Sequence, residues 1–286
     1  GNRVELPVGI LNGIRDGPIL YLQAAQHGLE LNGIAAITKM LKEQSPSSLS
    51  GAVITVPVAS PLALRARRHW PGMGPEEAYS DSPHNMNRTW PGDSEGNEAE
   101  RMAYALFHQI VVKADYAVDF HAYSRWTASS VLAPEWNKVS VEMAEAFGLT
   151  FLSLFKRPES GPVAKMFTTV ATERGIPAIT VELSGQWDLY PKSVEEGYRG
   201  IVNLMRHLGM VEGELEPPKR RVVVERFLPV EVRSPVEGLF LPFKDPGAEV
   251  KKGETLGRLI DPLRLEEMDV KSPMDGVIFR IGRGRP

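Results

Sequence analysis

The chain of 286 residues contains no cysteine, and this absence removes two classes of chemistry. Without thiols there is no disulfide bond and no thiolate ligand for a metal, so any metal site must use histidine and carboxylate side chains. Histidines are also few, with six in the whole chain. Histidine and carboxylate residues at short spacing are therefore the most informative motifs for a metal site.

The sequence also lacks a strong net charge and a long apolar run. The formal net charge of −3 and the pI near 6.1 predict no general affinity for nucleic acid or for an anionic membrane. No apolar run approaches the ~20 residues of a membrane span, and residues 1–7 lack the apolar core of a signal peptide. We therefore expect a cytoplasmic protein with no nucleic-acid or membrane partner, while a homo-oligomer stays open.

A histidine and a glutamate three residues apart, His27 and Glu30, follow an apolar run that is typical of a strand. The next segment has helical periodicity, so the pair lies where a strand gives way to a helix. Side chains at this spacing on a helical turn have Cβ atoms about 5–6 Å apart, and both can bind one Zn²⁺ at about 2.0–2.2 Å. By itself, the pattern more often marks a solvated contact on a helix.

A third ligand is needed, and His121 is the best candidate because it ends a second apolar strand, Tyr116–Phe120. Two histidines and one glutamate with an open fourth position form a hydrolytic zinc site rather than a structural one. We therefore predict one Zn²⁺ per chain, bound by His27, Glu30 and His121. Asp119 projects to the same side of the strand as His121 and is a candidate partner for it, with an ordinary surface contact as the alternative.

Three further residues are candidates for catalysis and substrate binding. Glu182 lies near the end of an apolar strand, where a charge is costly unless it is paired or functional. Beside a zinc site it would be the general base for the attacking water, and the alternative is a solvated glutamate at the rim. Asn87 and Arg88 offer an amide and a planar guanidinium, which suit a substrate carboxylate, although alone they are a polar loop dipeptide.

The connection from Arg65 to Glu95 is rich in Pro, Gly, Ser and Asp, and its length predicts an active-site loop. It begins with a basic cluster, of which one member could polarise the scissile carbonyl, although a solvated patch is more common. The cluster consists of Arg65, Arg67, Arg68 and His69. Four histidines lack partners at metal spacing and are predicted to be non-ligands: His69, His84, His108 and His207.

Strand-like and helical segments alternate from Ile19 to about Val211, which predicts an α/β architecture with helices flanking a mostly parallel or mixed sheet. Capping-box patterns predict the starts of two helices, at Asn97 with Glu100 and at Ser193 with Glu196. The predicted strands are Leu20–Ala24, Val53–Val58, Tyr116–Phe120, Ser129–Leu132 and Ala178–Leu183.

After residues 212–218 the composition changes to short β-type runs broken by Gly and Pro, which predicts two domains, 1–216 and 217–286. The second contains an internal repeat, Val232–Phe240 against Val270–Ile278, and resembles the biotinyl/lipoyl-type barrel-sandwich domain. The connection that would carry the cofactor lysine, residues 264–268, contains no lysine. We therefore expect a structural or oligomerising unit without a covalent cofactor.

Taken in order, these motifs resemble the succinylglutamate desuccinylase/aspartoacylase family, relatives of the zinc carboxypeptidases, over nearly the whole chain. They are His27-x-x-Glu30, Asn87-Arg88, Asp119-Phe120-His121 and Val181-Glu182. The resemblance implies a carboxypeptidase-like mixed sheet flanked by helices and a small C-terminal all-β barrel-sandwich domain. It also implies zinc on His27, Glu30 and His121, Glu182 as base and then acid, and Asn87 with Arg88 on a substrate carboxylate.

The function predicted on this basis is a zinc-dependent amidohydrolase that removes a small acyl group from an N-acyl amino acid. An N-acetyl diamino acid is as admissible as N-acetylaspartate or N-succinylglutamate. A carboxypeptidase-like peptidase would use the same metal centre, and a binding protein on an inactive hydrolase fold is a third option. Arg174 is a further candidate to assist. Three tryptophans beside the motifs suggest a pocket wall for a ring or a cationic amine, with packing as the alternative: Trp90, Trp126 and Trp187.

Overall fold

The computed structural model describes residues 3–72, 82–225 and 230–282. Within them, helices cover both faces of a large mixed sheet, and two small antiparallel sheets follow. Among the described residues, no helix combines the length and the apolarity that a membrane crossing requires. The helices are α1 Asn32–Glu43, α2 Pro61–Ala66, α3 Glu98–Gln109, α4 Lys138–Phe147, α5 Phe167–Glu173 and α6 Pro191–His207.

The large sheet contains eight of the described strands, in the order β1-β3-β2-β4-β7-β5-β6-β8. Strands β2, β3, β4 and β7 run parallel, β1 is antiparallel to β3, and β5 is antiparallel to β7. These strands are β1 Gly9–Asn12, β2 Arg15–Ala24, β3 Ser50–Val56, β4 Tyr116–Tyr123, β5 Ser130–Pro134, β6 Phe151–Phe155, β7 Ala178–Ser184 and β8 Val222–Glu225.

The five predicted strands are confirmed as β2, β3, β4, β5 and β7, with small shifts at their ends, while β1, β6 and β8 were not predicted. The chain leaves β2 through α1 to β3 on one side and later forms β4 on the other side of β2. The carboxyl ends of β2 and β4 therefore flank a point where the strand order reverses, which is where open α/β sheets bind ligands.

The two faces of the large sheet have different compositions. The face covered by α1, α4 and α6, which we call the apolar face, carries Leu22, Phe120 and Val181 of the central strands. The face covered by α3 and α5, which we call the polar face, has apolar residues near the starts of its central strands, such as Ala117 on β4 and Ala178 on β7. Because side chains alternate along a strand, the remaining members of β2, β4 and β7 project from the polar face. They are Gln23, Asp119, His121, Thr180 and Glu182.

The helix starts test the two predicted capping boxes. At α3 the prediction is confirmed, since Asn97 Oδ1 accepts from the Glu100 backbone N–H at 3.1 Å and Glu100 Oε2 accepts from the Asn97 N–H at 2.9 Å. At α6 it is wrong, because the helix begins at Pro191 and has no side-chain cap, so Ser193 lies inside the first turn. A proline at the first helical position is already preset for the helix. Glu196 instead accepts a hydrogen bond from Ser129 Oγ at 2.6 Å.

The C-terminal region forms two small antiparallel sheets, and its barrel-sandwich architecture stays a prediction. The two repeat copies share one turn, since Ser234 Oγ donates to the Val236 carbonyl and Ser272 Oγ donates to the Met274 carbonyl. The predicted boundary at residue 216 also stays a prediction, and β8 beyond it pairs with β6 of the large sheet. The strands are β9 Leu239–Pro242, β10 Glu249–Val250, β11 Thr255–Asp261, β12 Glu266–Lys271 and β13 Gly276–Val277.

Candidate metal centre and active site

Three side chains meet at the carboxyl ends of β2 and β4: His27, Glu30 and His121. All three are buried, and their ligand atoms lie within 4.8 Å of one another. The two Nδ1 atoms are 3.2 Å apart, and the Glu30 oxygens lie 3.0 Å from His27 Nδ1 and 2.8 Å from His121 Nδ1. Ligands that share one zinc ion at about 2.0–2.1 Å in a tetrahedron lie about 3.3 Å apart. The spacing therefore fits a single zinc-sized cation.

The outer nitrogens of both histidines contact oxygen acceptors. His121 Nε2 lies 2.9 Å from Asp119 Oδ2, and His27 Nε2 lies 3.0 Å from Asn85 Oδ1. The backbone N–H of Asn87 also donates to Asn85 Oδ1, which fixes the orientation of that amide. We assign the ring protons to the Nε2 atoms on this network, which leaves both Nδ1 lone pairs facing the centre. Such partners orient metal ligands, and the predicted contact between Asp119 and His121 is present.

Asp119 is also the centre of a buried polar network beneath the site. Gln23 Nε2 donates to its Oδ1 at 3.0 Å, and Gln26 Nε2 donates to its Oδ2 at 2.7 Å. Tyr21 and Trp90 complete the network, because the Tyr21 hydroxyl donates to Gln23 Oε1 and Trp90 Nε1 donates to Gln26 Oε1. Trp90 is therefore a buried packing residue rather than a pocket wall. A buried carboxylate with this many donors holds its position firmly.

The electrostatics of the cluster favour positive charge at its centre. Burial alone would raise the pKa of Glu30, but the imidazoles of His27 and His121 outweigh it and hold that pKa well below its usual range. Burial alone would lower the pKa of His121, but Asp119 and Glu30 outweigh it and raise that pKa well above its usual range. Two carboxylates thus draw a proton or a cation to the same place, which matches the charge of a divalent metal.

The turn that carries His27 is fixed by close backbone packing against α2. A Cβ atom at Gly28 would lie 1.8 Å from the Ala63 carbonyl oxygen, so only glycine fits there. The Gly28 N–H donates to the Arg68 carbonyl at 2.8 Å, which ties the turn to the segment after α2. Ala25, just before the turn, has a φ of 52°, a conformation that costs energy for a residue with a Cβ.

His69 also lies beside the cluster, a position that the sequence pattern did not predict. Its ring stacks on His27 with centroids 4.5 Å apart, and its Nε2 lies 3.8 Å from Glu30 Oε1. Burial lowers the pKa of His69 to about 3, and the charge on His27 acts in the same direction. The arginines of the predicted basic cluster, Arg65, Arg67 and Arg68, are exposed. Part of the predicted Arg65–Glu95 loop, residues 73–81, lies outside the described residues.

Glu182 lies beside the cluster on β7. It is the register partner of His121 on β4, so the two side chains leave the same face of neighbouring strands about 4.8 Å apart. Burial raises the pKa of Glu182 to about 8, while the positive charges of His121 and Arg88 act in the opposite direction. A carboxyl group at this position, with a pKa near neutrality, is suited to proton transfer.

The Asn87-Arg88 pair lies in a short 3₁₀ helix, Met86–Arg88, on the same side of the site. Asn87 is buried, its Nδ2 lies 3.1 Å from His121 Nε2, and its Oδ1 accepts from the Phe167 N–H at 3.0 Å. Arg88 is half-buried, and its Nη1 donates to the Asn87 carbonyl at 2.7 Å. Asn87 thus holds the Phe167 backbone and lies beside His121, while the charge of Arg88 acts on Glu182.

Two other candidates lie elsewhere. Arg174 precedes the first residue of β7, at the end opposite Glu182, and its guanidinium lies over the Phe107 ring at 5.8 Å. Trp126 lies near the C-terminal segment, because its carbonyl accepts from the Ile281 N–H at 2.8 Å.

The family comparison agrees with this geometry. The sequence model of the succinylglutamate desuccinylase/aspartoacylase catalytic domain matches residues 16–208, more than half of the chain. The chain belongs to this family. The match includes the three candidate metal ligands, Glu182 and the Asn87-Arg88 pair, so the predicted resemblance is confirmed.

Individual relatives cover most of the chain. An N-alpha-acetyl-L-2,4-diaminobutyric acid deacetylase from Halomonas elongata is 28% identical over 287 residues, which covers 96% of this chain and 80% of the relative. The crystal structure of a succinylglutamate desuccinylase/aspartoacylase from Rhodobacter sphaeroides has a TM-score of 0.72 at 25% identity, covering 98% of this chain and 87% of that one. A product-bound structure of the ectoine utilization protein EutE (DoeB) from Ruegeria pomeroyi has the same fold, with a TM-score of 0.72 at 24% identity, covering 96% and 83%.

Proposed function

We propose that this member of the desuccinylase/aspartoacylase family is a zinc-dependent deacylase that hydrolyses the amide bond of a small N-acyl amino acid. The observation that carries the proposal is the convergence of His27, Glu30 and His121 on one place, with Glu182 in register beside His121. This is the donor set of a hydrolytic metal site together with a base.

In the proposed reaction, His27, Glu30 and His121 hold one zinc ion per chain. A zinc ion there would act as a Lewis acid toward the attacking water and the amide carbonyl. Glu182 removes a proton from the water as the water oxygen bonds to the carbonyl carbon. When the carbon–nitrogen bond breaks, Glu182 gives that proton to the departing nitrogen, and the products are a carboxylic acid and a free amine.

Arg88 is the proposed anchor for the substrate carboxylate, and Asn87, whose Oδ1 accepts from the Phe167 N–H, precedes it in the same short helix. The half-buried guanidinium offers a planar, charge-assisted contact that matches a carboxylate. The deacetylase from Halomonas elongata supports an N-acetylated diamino acid as the first substrate to test.

The test is a panel of N-acyl amino acids with the zinc-loaded protein, scored for release of free amine. The panel should contain N-acetylated 2,4-diaminobutyrate, N-acetylaspartate, N-succinylglutamate and a short peptide with a free carboxyl terminus. We expect turnover of at least one acyl amino acid and little turnover of the peptide. Preferred cleavage of the peptide would favour a carboxypeptidase-like activity, and a metal-loaded protein that cleaves none of these amides would contradict the proposal.

A further inference from the structure

His69 is the one histidine among the described residues that lies beside the candidate metal cluster without belonging to it. The residue is buried, with 5% of its surface exposed. Its ring stacks on His27 at an interplanar angle of 26°, and its Nε2 lies 3.8 Å from Glu30 Oε1. An imidazole outside the candidate ligand set is therefore present next to the cluster.

The backbone around His69 fixes this position. Helix α2 ends at Ala66, and the next residue, Arg67, has a φ of 53° that turns the chain back toward the cluster. The Arg68 carbonyl then accepts from the Gly28 N–H, one residue after His27. The His69 and Trp70 rings are also perpendicular to each other, with centroids 5.9 Å apart. A residue held this firmly suits a contact that must be in place before the reaction begins.

The stacking favours a contact with a substrate oxygen over metal ligation. An imidazole holds a metal in the plane of its ring, and the plane of the His69 ring is displaced from that of His27 by the stacking. The two rings therefore cannot easily aim at one ion. An oxygen atom that lies next to such an ion can still be within reach of the His69 N–H.

We propose that His69 donates a hydrogen bond to the oxygen of the scissile carbonyl as negative charge develops on it. This inference rests on the proposed deacylase function. The sequence left four residues of the basic cluster open for polarising this carbonyl. The three arginines among them are exposed, and the Arg67 guanidinium donates to the Trp187 carbonyl at 3.0 Å. The inference therefore assigns this role to the buried His69. The bonds made and broken are those of the hydrolysis above.

The experiment compares His69→Ala and His69→Gln with the wild type, using the best N-acyl amino acid of the panel. Loss of one such donor lowers kcat by about 10²–10³-fold. We expect that loss in His69→Ala, with KM and product affinity changed by less than about threefold. His69→Gln should recover part of kcat, because its amide can donate from a similar position. His108→Gln, which replaces an exposed histidine on α3, is the matched control and should leave kcat unchanged.

Two further measurements separate this role from a structural one. A phosphonamidate analogue of the tetrahedral intermediate should bind His69→Ala more weakly by about the same factor as the loss in kcat/KM. The cation stoichiometry and the visible spectrum of the cobalt-substituted protein should match the wild type. A lost cation or an altered cobalt spectrum would make His69 a ligand and overturn the proposal. The proposal would also be overturned if His69→Ala and His69→Gln lost kcat equally while their affinity for the phosphonamidate stayed unchanged.

The two proposals fail in different ways. Wild-type protein that cleaves no amide and binds no phosphonamidate contradicts the deacylase function and, with it, the His69 assignment. Wild-type turnover that persists undiminished in His69→Ala contradicts the His69 assignment alone.

Discussion

The two faces of the large sheet show how one strand can serve two purposes. Phe120 lies on the apolar face of β4, where its ring packs 6.0 Å from that of Phe147, and a Cβ atom at Gly33 would lie 2.5 Å from its Cβ. Asp119 and His121, the residues on either side, lie on the polar face and are held by hydrogen bonds. Close apolar packing thus fixes the backbone to which the candidate metal ligand is attached.

The difference implies that stability and chemistry can be separated by substitution. Apolar burial on one face favours folding in proportion to the area removed from water. On the other face, the buried polar groups around Asp119 are tolerated because they find hydrogen-bond partners. Substitutions on the polar face should therefore change cation binding and turnover with little loss of structure, while those on the apolar face should do the reverse.

The largest expected effect comes from His121→Ala, which removes a candidate ligand from the polar face. We expect loss of the bound cation and of turnover, while the far-ultraviolet circular dichroism stays native because the apolar face is intact. Metal analysis after dialysis and the amine-release assay are the measurements. A variant that keeps one zinc ion per chain and full activity would remove His121 from the site.

Glu182→Gln should have the next largest effect on turnover. A general base contributes roughly 10²–10⁴ in rate, so kcat should fall by about that factor while the cation stays bound. Because the base must be deprotonated, wild-type turnover should be lost as the pH falls through the pKa of Glu182. That pKa lies near 8 without a cation, and a bound cation lowers it. Near-normal kcat in the variant would refute this mechanism.

The same substitution has a signature in stability. The pKa of Glu182 rises on folding from 4.5 to about 8, so between these values the native state binds more protons than the unfolded state. The free energy of unfolding of the metal-free wild type should therefore fall as the pH rises from about 5 to 8 and the buried carboxyl group loses its proton. Glu182→Gln should lack this fall, so the variant should gain Tm relative to the wild type as the pH increases. A constant difference in Tm would argue against a raised pKa.

Arg88→Ala tests the substrate side of the polar face. Losing a charge-assisted contact worth about 1.5–3 kcal/mol should lower kcat/KM by roughly 10–100-fold. An analogue with an amide in place of the carboxylate should be poor with the wild type and should lose little more in the variant, because both changes delete one interaction. Arg88→Lys should recover only part of the activity. If acid and amide suffer equally from Arg88→Ala, Arg88 is not the carboxylate anchor.

Asp119→Asn changes the partner of a ligand without changing the ligand itself. Substituting such a partner lowers metal affinity by about 10–100-fold, and we expect this change in the zinc dissociation constant measured by competition with a chelator. Asn has nearly the same shape, so the fold should persist. A dissociation constant equal to that of the wild type would show that the Asp119 contact does not orient His121.

Residues of the polar face could be predicted only where their spacing in the sequence, or the strand that they end, identifies them. His27, Glu30 and His121 were found because two are three residues apart and the third ends an apolar strand. Asn85, the partner of His27, is 58 residues away along the chain and belongs to no periodic segment. The position of His69 beside the cluster was not predicted for the same reason, since a loop and the backbone contact at Gly28 bring it there.

The fold shows the same limit. The five predicted strands include the four parallel strands β2, β3, β4 and β7, whereas β8 follows a segment rich in Pro and Glu that predicts a domain boundary. The helix start at Ser193 was wrong because Pro191 can begin a helix without a side-chain cap. The cytoplasmic location and the oligomeric state stay predictions, because they depend on partners outside the chain.

The smallest effect on activity is expected for Phe120→Leu, the neighbour of Asp119 on the apolar face. Its ring is buried, so the smaller side chain should lower the free energy of unfolding by about 0.5–3 kcal/mol. The zinc dissociation constant and kcat/KM of the folded protein should stay within about threefold of the wild type. Chemical denaturation and chelator competition, measured on Phe120→Leu and Asp119→Asn in parallel, give the comparison. If Phe120→Leu weakens zinc binding as much as Asp119→Asn does, the two faces are energetically coupled, and packing behind β4 helps to position His121.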